Sequence, residues 1–431
     1  MKTIDSQANR DLLETLLSRN QFEFSSVNDL VLKVIETVRK EKDQALIEYT
    51  ARFDKVVLTR FKVTKEEIEE AYQLLNPMLI EDLKLAMRNM ITFHQKQVEV
   101  SYKVKIDDTS FLEERVMPIE KVGLYVPGGT APLPSTVLMN AVPAKLAGVK
   151  KTVMVSPPNK AGKLAPSILV AADLAGVDEI YKIGGAQAVA ALAFGTETIP
   201  KVDKIVGPGN VYVTTAKRLL NGYIGIDMIA GPSEILIIAD DAANPEFVAA
   251  DLLSQAEHDT LASAILLTPS KTLAKKVNQA VTNQIKHLSR KQIVETAIAN
   301  QGLIVITKDL LEAIAISNRI APEHLEIMTK ENDSVLEKIT QAGAIFIGNY
   351  SPEPLGDYFA GTNHTLPTSG TARFSSPLSV RDFMKRTQVI YYTKEALEKN
   401  YKTIVRLANE EGLTAHASAI TVRFKEDSDG R

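Results

Sequence analysis

The sequence predicts an α/β protein whose chain builds two parallel sheets in succession. Three observations carry this. Short β-branched runs alternate with Ala-rich helical stretches from Val122 onward, the links between them hold glycine, and a second such series begins just after Gly231–Pro232. Alternation of strand and helix with short connections is the pattern of a parallel sheet covered by helices on its faces. The 431 residues, 45% of them hydrophobic, call for more than one domain. The predicted architecture is two incomplete Rossmann-like domains with small N-terminal helical and C-terminal extension segments.

Taken in order, residues 1–21 read as a short amphipathic helix with Leu12, Leu13, Leu16 and Leu17 on one face. A lone helix of that length is marginal in water and needs something to dock on. Residues 27–96 have a helical pattern rich in Lys and Glu, and Val98–Val104 and Thr109–Pro118 read as strands. In the first α/β series the expected strands are Val122–Val126, Thr152–Ser156, Glu179–Ile183 and Lys204–Val206. Its expected helices are Ser135–Ala147, Leu164–Ala175, Ala186–Phe194 and Val211–Leu220. In the second series the expected strands are Ile235–Ala239, Ser263–Thr268, Leu303–Thr307, Glu326–Met328 and Ala344–Ile347. Residues 349–379 are rich in Pro, Gly, Ser and Thr and have no periodicity. A loop of that length inside a compact domain is often functional. A strand over Val389–Thr393, a helix from Lys394 to about Glu411 and a tail to Arg431 follow. The expected domains are 1–21 as a helical extension, 22–121 with 233–379 as one α/β domain, 122–232 as the other, and 380–431 as a C-terminal extension.

Composition removes several classes of function. The net charge is -3, so no basic excess is available to neutralise phosphates, and Trp is absent. A nucleic-acid surface is therefore not expected. The chain has no cysteine, which excludes disulfides, thiolate metal sites, iron–sulfur clusters and a cysteine nucleophile. The polar N-terminal stretch lacks the apolar segment of a signal peptide, and the longest apolar runs are too short to span a bilayer. A soluble cytoplasmic protein is expected.

The candidate chemistry lies at strand ends, helix ends and in the long loop. Glycine turns end several strands: Val126-Pro-Gly-Gly, Ile183-Gly-Gly-Ala-Gln187 and Ile205-Val-Gly-Pro-Gly-Asn210. Glycine lets a backbone approach a phosphate, and a helix N-terminus favours the anion. No turn matches GxGxxG, and ordinary strand-to-helix turns need glycine as well, so both readings stand. Tyr125, Gln187 and Asn210 each stand at such an end, where ligands of open α/β sheets bind. The run from Asn244 to Asp259 starts with a good N-cap followed by Pro245, and it sets Gln255 and His258 three apart on one face. Both can reach one cation, although a histidine near a helix C-terminus also suits the dipole. Glu323 and His324 put two proton acceptors of different basicity side by side after Pro322, where a solvated turn is the plainer reading. Asp357 and His364 fall in the long loop, and His416 lies near the C-terminus. His94 and His287 read as structural or solvent-facing.

Together these segments resemble the histidinol dehydrogenase family. The resemblance rests on Val122-Gly-Leu-Tyr-Val-Pro-Gly-Gly, Gly184-Gly-Ala-Gln-Ala, Val206-Gly-Pro-Gly-Asn, Asp227-Met-Ile-Ala-Gly-Pro-Ser-Glu, Leu252-Leu-Ser-Gln-Ala-Glu-His, Ala321-Pro-Glu-His-Leu and Gly356-Asp-Tyr-Phe-Ala-Gly-Thr-Asn-His. It runs from about Val122 to about Ala417, with the segments in order. The resemblance implies one zinc ion per subunit on Gln255, His258, Asp357 and His416, with Glu323 and His324 as the acid–base pair. It implies that Ser233, His364 and Glu411 contact the substrate, L-histidinol, beside the metal residues and His324. Tyr125, Gln187 and Asn210 would contact NAD. By the same resemblance, 22–121 with 233–379 carries the catalytic and zinc residues, and 122–232 carries the NAD contacts. An intertwined homodimer is implied, with His416 acting at the partner subunit's site.

The implied reaction takes an alcohol through an aldehyde to a carboxylate with two NAD, at the end of histidine biosynthesis. Without cysteine, no thiohemiacetal can form, so water must add to the aldehyde. The expected division of labour has His324 removing the alcohol proton and Glu323 activating the water. Two rivals are a zinc hydrolase using the same cluster and a non-catalytic α/β binding protein. The first lacks an HExxH helix, and the second has no need of the Glu323–His324 pair.

Overall fold

The computed structural model describes residues 1–9, 11, 14, 25–128 and 132–424. It divides into two compact units, residues 1–98 with 119–383 and residues 99–118 with 384–431.

The first unit contains two all-parallel sheets. The five-stranded sheet runs Glu179–Lys182, Lys151–Ser156, Lys121–Tyr125, Lys204–Val206, Gly225–Ile226 in spatial order. The six-stranded sheet runs Lys2–Asp5, Gly302–Ile306, Ser263–Thr268, Glu234–Ala239, His324–Met328, Ala344–Ile347. Central strands such as Glu234–Ala239 are buried along their whole length, as expected for a sheet covered on both faces. Two apolar clusters pack against this sheet. One joins Ile235 and Ile237 to Val248, Leu252 and Val277, and the other joins Leu236 and Ile238 to Ile314 and Ile320. Alternate residues of one strand thus feed opposite faces.

The strands and helices expected in the two α/β series, from Val122 to Ile347, are present with ends shifted by a few residues. The short edge strand Gly225–Ile226 carries too few residues to show in a pattern. Helix Pro245–Ala256 starts as its sequence dictates, with the Asn244 side chain accepting from the Glu246 N–H. The N-terminal reading needs correction. Lys2–Asp5 is a strand paired in parallel with Gly302–Ile306. Ile4 is buried in the core between sheet and helices, and the parallel ladder satisfies backbone groups that a frayed helix would leave to water. Leu12, Leu13, Leu16 and Leu17 lie outside the described residues.

Helices Ser25–Phe53, Lys65–Leu74 and Pro77–His94 cover the helices of the five-stranded sheet. Val31, Val34, Val38 and Leu46 join the cluster around Val189, Leu192 and Ile205. The expected domain instead grouped 22–121 with 233–379. The amphipathic pattern marks which face is buried but not which partner buries it. The buried His94 fits its structural reading, with Nδ1 2.7 Å from Gln97 Oε1. Within the presumed loop, residues Glu353–Tyr358 form a short helix. No helix among the described residues is long and apolar enough to cross a membrane.

The second unit has an antiparallel sheet, Met384–Tyr391, Phe111–Pro118, Tyr102–Lys105. The single helix expected from Lys394 is broken into Lys394–Glu398 and Tyr401–Glu410, and Thr414–Thr421 follows.

Candidate active site at two sheet edges

The acid–base candidates, Glu323 and His324, stand at the amino end of strand His324–Met328 in the six-stranded sheet, beside Glu234, which opens the neighbouring strand. His324 opens its strand and pairs in register with Ile235. One peptide unit pair, that of Glu234, organises the site. The Glu234 N–H donates to Glu323 Oε2 at 2.8 Å, and the Glu234 carbonyl lies 3.0 Å from His324 Nδ1. A carbonyl can only accept, so Nδ1 carries the proton and Nε2 keeps its lone pair. The two side chains lie 3.6 Å apart, Nδ1 to Oε2. Burial pulls His324 down to about 4 against the opposing charge of Asp357, so the ring is neutral at neutral pH. Burial pushes the Glu323 carboxyl well up, and Glu234, Asp357 and Glu353 add repulsion. The chain entering this edge is constrained: Ala321 caps the preceding helix in the left-handed region at φ 52°, immediately before Pro322.

Beside this pair, His258, Glu353 and Asp357 offer ligand atoms that all lie within 4.8 Å of one another. Glu353 and Asp357 are one turn apart on the short helix, hence on one face. Gly356 lets that helix lie against the Phe346 ring, which a Cβ would meet at 2.7 Å. Glu353 Oε1 also lies 3.9 Å from His324 Nε2. His364 bridges outward, with Nδ1 3.5 Å from Asp357 Oδ1 and Nε2 3.3 Å from Thr136 Oγ1. Burial works to raise Asp357, but the hydrogen bond and charge of His364, with His324 and His258, outweigh it and hold it low. Burial raises Glu353 to about 8, with Asp357 adding repulsion.

A cation fits this group. Gln255 Oε1 and Glu353 Oε1 are buried with no hydrogen-bond partner, and buried polar atoms are normally satisfied. The donors are oxygen and imidazole nitrogen, suited to a borderline or hard divalent ion. Of the expected metal ligands, His258 and Asp357 fall in the triad, and Gln255 sits in the last turn of the helix just before His258. His416 and Glu411 belong to the second unit, where both are exposed. Ser233 directly precedes Glu234, and its carbonyl accepts from the Ser263 N–H at 2.9 Å.

The five-stranded sheet presents a different edge. Its glycine turns lie at carboxyl ends of strands. The Tyr125 hydroxyl accepts from the Gly185 N–H at 3.0 Å and is buried. Gln187 is buried as well and folds over Gly185, whose missing Cβ would lie 2.5 Å from Gln187 Oε1. Asn210 is exposed and caps helix Val211–Leu220, accepting from Tyr212 and Val213 N–H. All three residues expected to meet a cofactor therefore shape these turns.

Sequence reasoning did not single out Glu353, Glu234 or Glu326. Glu326 Oε1 accepts from the Glu353 N–H at 2.8 Å, capping the helix that carries Glu353 and Asp357. Glu234 Oε1 accepts from the Ser369 N–H at 3.2 Å. Glu353 had a signal, namely its place four residues before Asp357.

A family model for histidinol dehydrogenase matches residues 17–424. The histidinol dehydrogenase of Clostridium acetobutylicum is 55% identical over 412 residues, covering 96% of each chain. That of Bacillus cereus is 54% identical, covering 93% of this chain and 94% of its own. A crystal structure of histidinol dehydrogenase from Elizabethkingia anophelis superposes with a TM-score of 0.92 at 42% identity, over 98% of this chain and 97% of that one. With the family matched over nearly the whole chain, the chain belongs to the histidinol dehydrogenase family.

Proposed function

We propose that this chain oxidises L-histidinol to L-histidine through the aldehyde in two NAD-dependent steps, with a zinc ion at the His258 group. The observation that carries the reading is the Glu234 peptide, which holds a neutral imidazole and a buried carboxyl side by side next to that group. Gln255, His258 and Asp357 are proposed to hold the ion, with Glu353 close enough to share it. When bound, the ion would template a substrate carrying an imidazole and an amine and act as a modest Lewis acid. NAD+ supplies the oxidant, one hydride acceptor for each step.

The chain's own groups manage the protons. His324 Nε2, free of the carbonyl that holds Nδ1, takes the proton of the alcohol. Glu323, anchored by a backbone N–H, takes a proton from the water that adds to the aldehyde, and His324 Nε2 takes the hydroxyl proton of the resulting gem-diol as the second hydride leaves for NAD+. A carboxyl raised by burial is a stronger base once ionised. Ser233 and His364 are proposed to contact the substrate at this edge. Tyr125, Gln187 and Asn210 are proposed to shape the cofactor's place at the other edge. The active form is proposed to be a cytoplasmic homodimer in which Glu411 and His416 serve the partner subunit's site, a reading supported by the family resemblance. The rival hydrolase would leave the glycine-rich edge without a role.

The test is the NADH formed per histidinol consumed. Two per substrate, abolished by a chelator and restored by zinc, supports the reading. Turnover without NADH, or no turnover with metal present, contradicts it.

A further inference from the structure

One buried ion pair shares no residue with the carboxylate cluster and encloses a single glycine. The Gly207 N–H donates to Asp227 Oδ2 at 2.7 Å, and the Gly207 carbonyl accepts from Lys217 Nζ at 2.9 Å. Lys217 Nζ also pairs with Asp227 Oδ1, closing a ring, and the two side chains are only 2% and 1% exposed. Lys217 lies on helix Val211–Leu220, and Asp227 follows the edge strand Gly225–Ile226. Gly207 leads from strand Lys204–Val206 into Pro208, Gly209 and the cap Asn210. It has φ 112°, and a Cβ there would stand 2.0 Å from the Tyr125 carbonyl oxygen.

We propose that Lys217 and Asp227 are positioning residues that lock the Gly207–Asn210 turn in the shape that receives the cofactor. The inference rests on the reading that NAD docks at this edge. Stability is a poor reason for such a pair, because burying two charges costs about as much as their attraction returns, and apolar replacements are often neutral or better. What an apolar pair could not do is satisfy both polar atoms of Gly207, which would be left unpaired in the interior. The ring therefore fixes the orientation of one peptide, tying it to the helix behind it and the strand beside it. The turn then enters the helix with its first N–H groups in a set direction. Neither side chain is free to touch a ligand, so the effect acts through the turn.

The test compares Asp227→Asn, which keeps an acceptor for Gly207, with Asp227→Ala, which does not. NADH binding is read by its fluorescence, alongside KM for NAD+ and for histidinol, bound metal and Tm. If release of the clamp leaves the turn competent a tenth of the time, NADH binds about tenfold more weakly. The expected order of NADH Kd is wild type, then Asp227→Asn, then Asp227→Ala, with histidinol KM and metal content within about twofold. Should Asp227→Ala fail to fold, the double variant Lys217→Met/Asp227→Asn removes both charges while keeping the acceptor, and it must show the same selective loss. Folded variants with wild-type NADH affinity overturn the proposal. So does a loss of NADH and histidinol binding in equal measure that tracks Tm. Wild-type protein that binds no NADH would instead overturn the functional reading beneath it.

Discussion

The two sheets of the first unit are built alike and gather different groups at opposite ends. At the amino edge of the six-stranded sheet, Glu234, Glu323, Glu353, Asp357, His258 and His324 crowd together, mostly buried. At the carboxyl edge of the five-stranded sheet the same kind of scaffold carries glycine turns, and its buried lysines are each matched to a carboxylate, Lys217 to Asp227 and Lys182 to Glu67. The first edge crowds carboxyls that burial raises beside imidazole nitrogens, a set of groups suited to hold a cation and to move protons. The second exposes backbone and suits a ligand that needs close approach. Sheet architecture alone does not distinguish the two edges; the placement of charge and glycine does.

The comparison can be broken first at His324. His324→Ala removes the proposed base for the alcohol and gem-diol protons and is expected to lower both oxidations by about 10²–10⁴-fold, measured as NADH formation from histidinol and from the aldehyde. NADH affinity should not change, because the ring belongs to the charged edge. Glu323→Gln is expected to slow the aldehyde step by about 10²-fold and the alcohol step much less. Equal losses in both half-reactions would end the proposed division of roles.

Glu234 sharpens the comparison through stability. Burial raises its carboxyl to about 7, and the backbone N–H of Ser369 only partly opposes this. A carboxyl raised on folding contributes full stability below its unfolded value near 4.5 and loses it as pH climbs through about 7. Glu234→Gln, which keeps the acceptor for Ser369, is therefore expected to exceed the wild type by about 3 kcal/mol at pH 8. The gap should close near pH 4.5, as read by denaturant melts. A gap that widens toward acid would contradict the burial argument. The smallest effect is at Ala321, held at φ 52°. Ala321→Gly relieves the left-handed strain but loosens the unfolded chain, for a net gain below about 1 kcal/mol.

Most of the scaffold was legible because its strands are β-branched runs and its helices carry strong caps, as at Asn244–Pro245. The start of the chain misled, since Lys2–Asp5 is too short to show strand periodicity and becomes a strand only by pairing with Gly302–Ile306. The same tertiary dependence hid where helices 25–94 pack. In the site, Glu323, His324, His258 and Asp357 stand out as polar residues in unusual places. Glu234 and Glu326 do not, because a charged residue in a strand reads as facing water. Here Glu234–Ala239 and His324–Met328 are buried throughout, so those carboxyls face inward. Burial on both faces is a property of the assembled sheet, and no local pattern announces it.

The most direct measurement is an NADH titration of the wild-type enzyme after a chelator has stripped its metal, paired with a histidinol titration of the same sample. The two edges act separately if NADH binds within about twofold of the metal-loaded enzyme while histidinol binding is lost. Loss of NADH binding together with the metal would mean that the charged edge also holds the cofactor, and the division between the two sheets would fail.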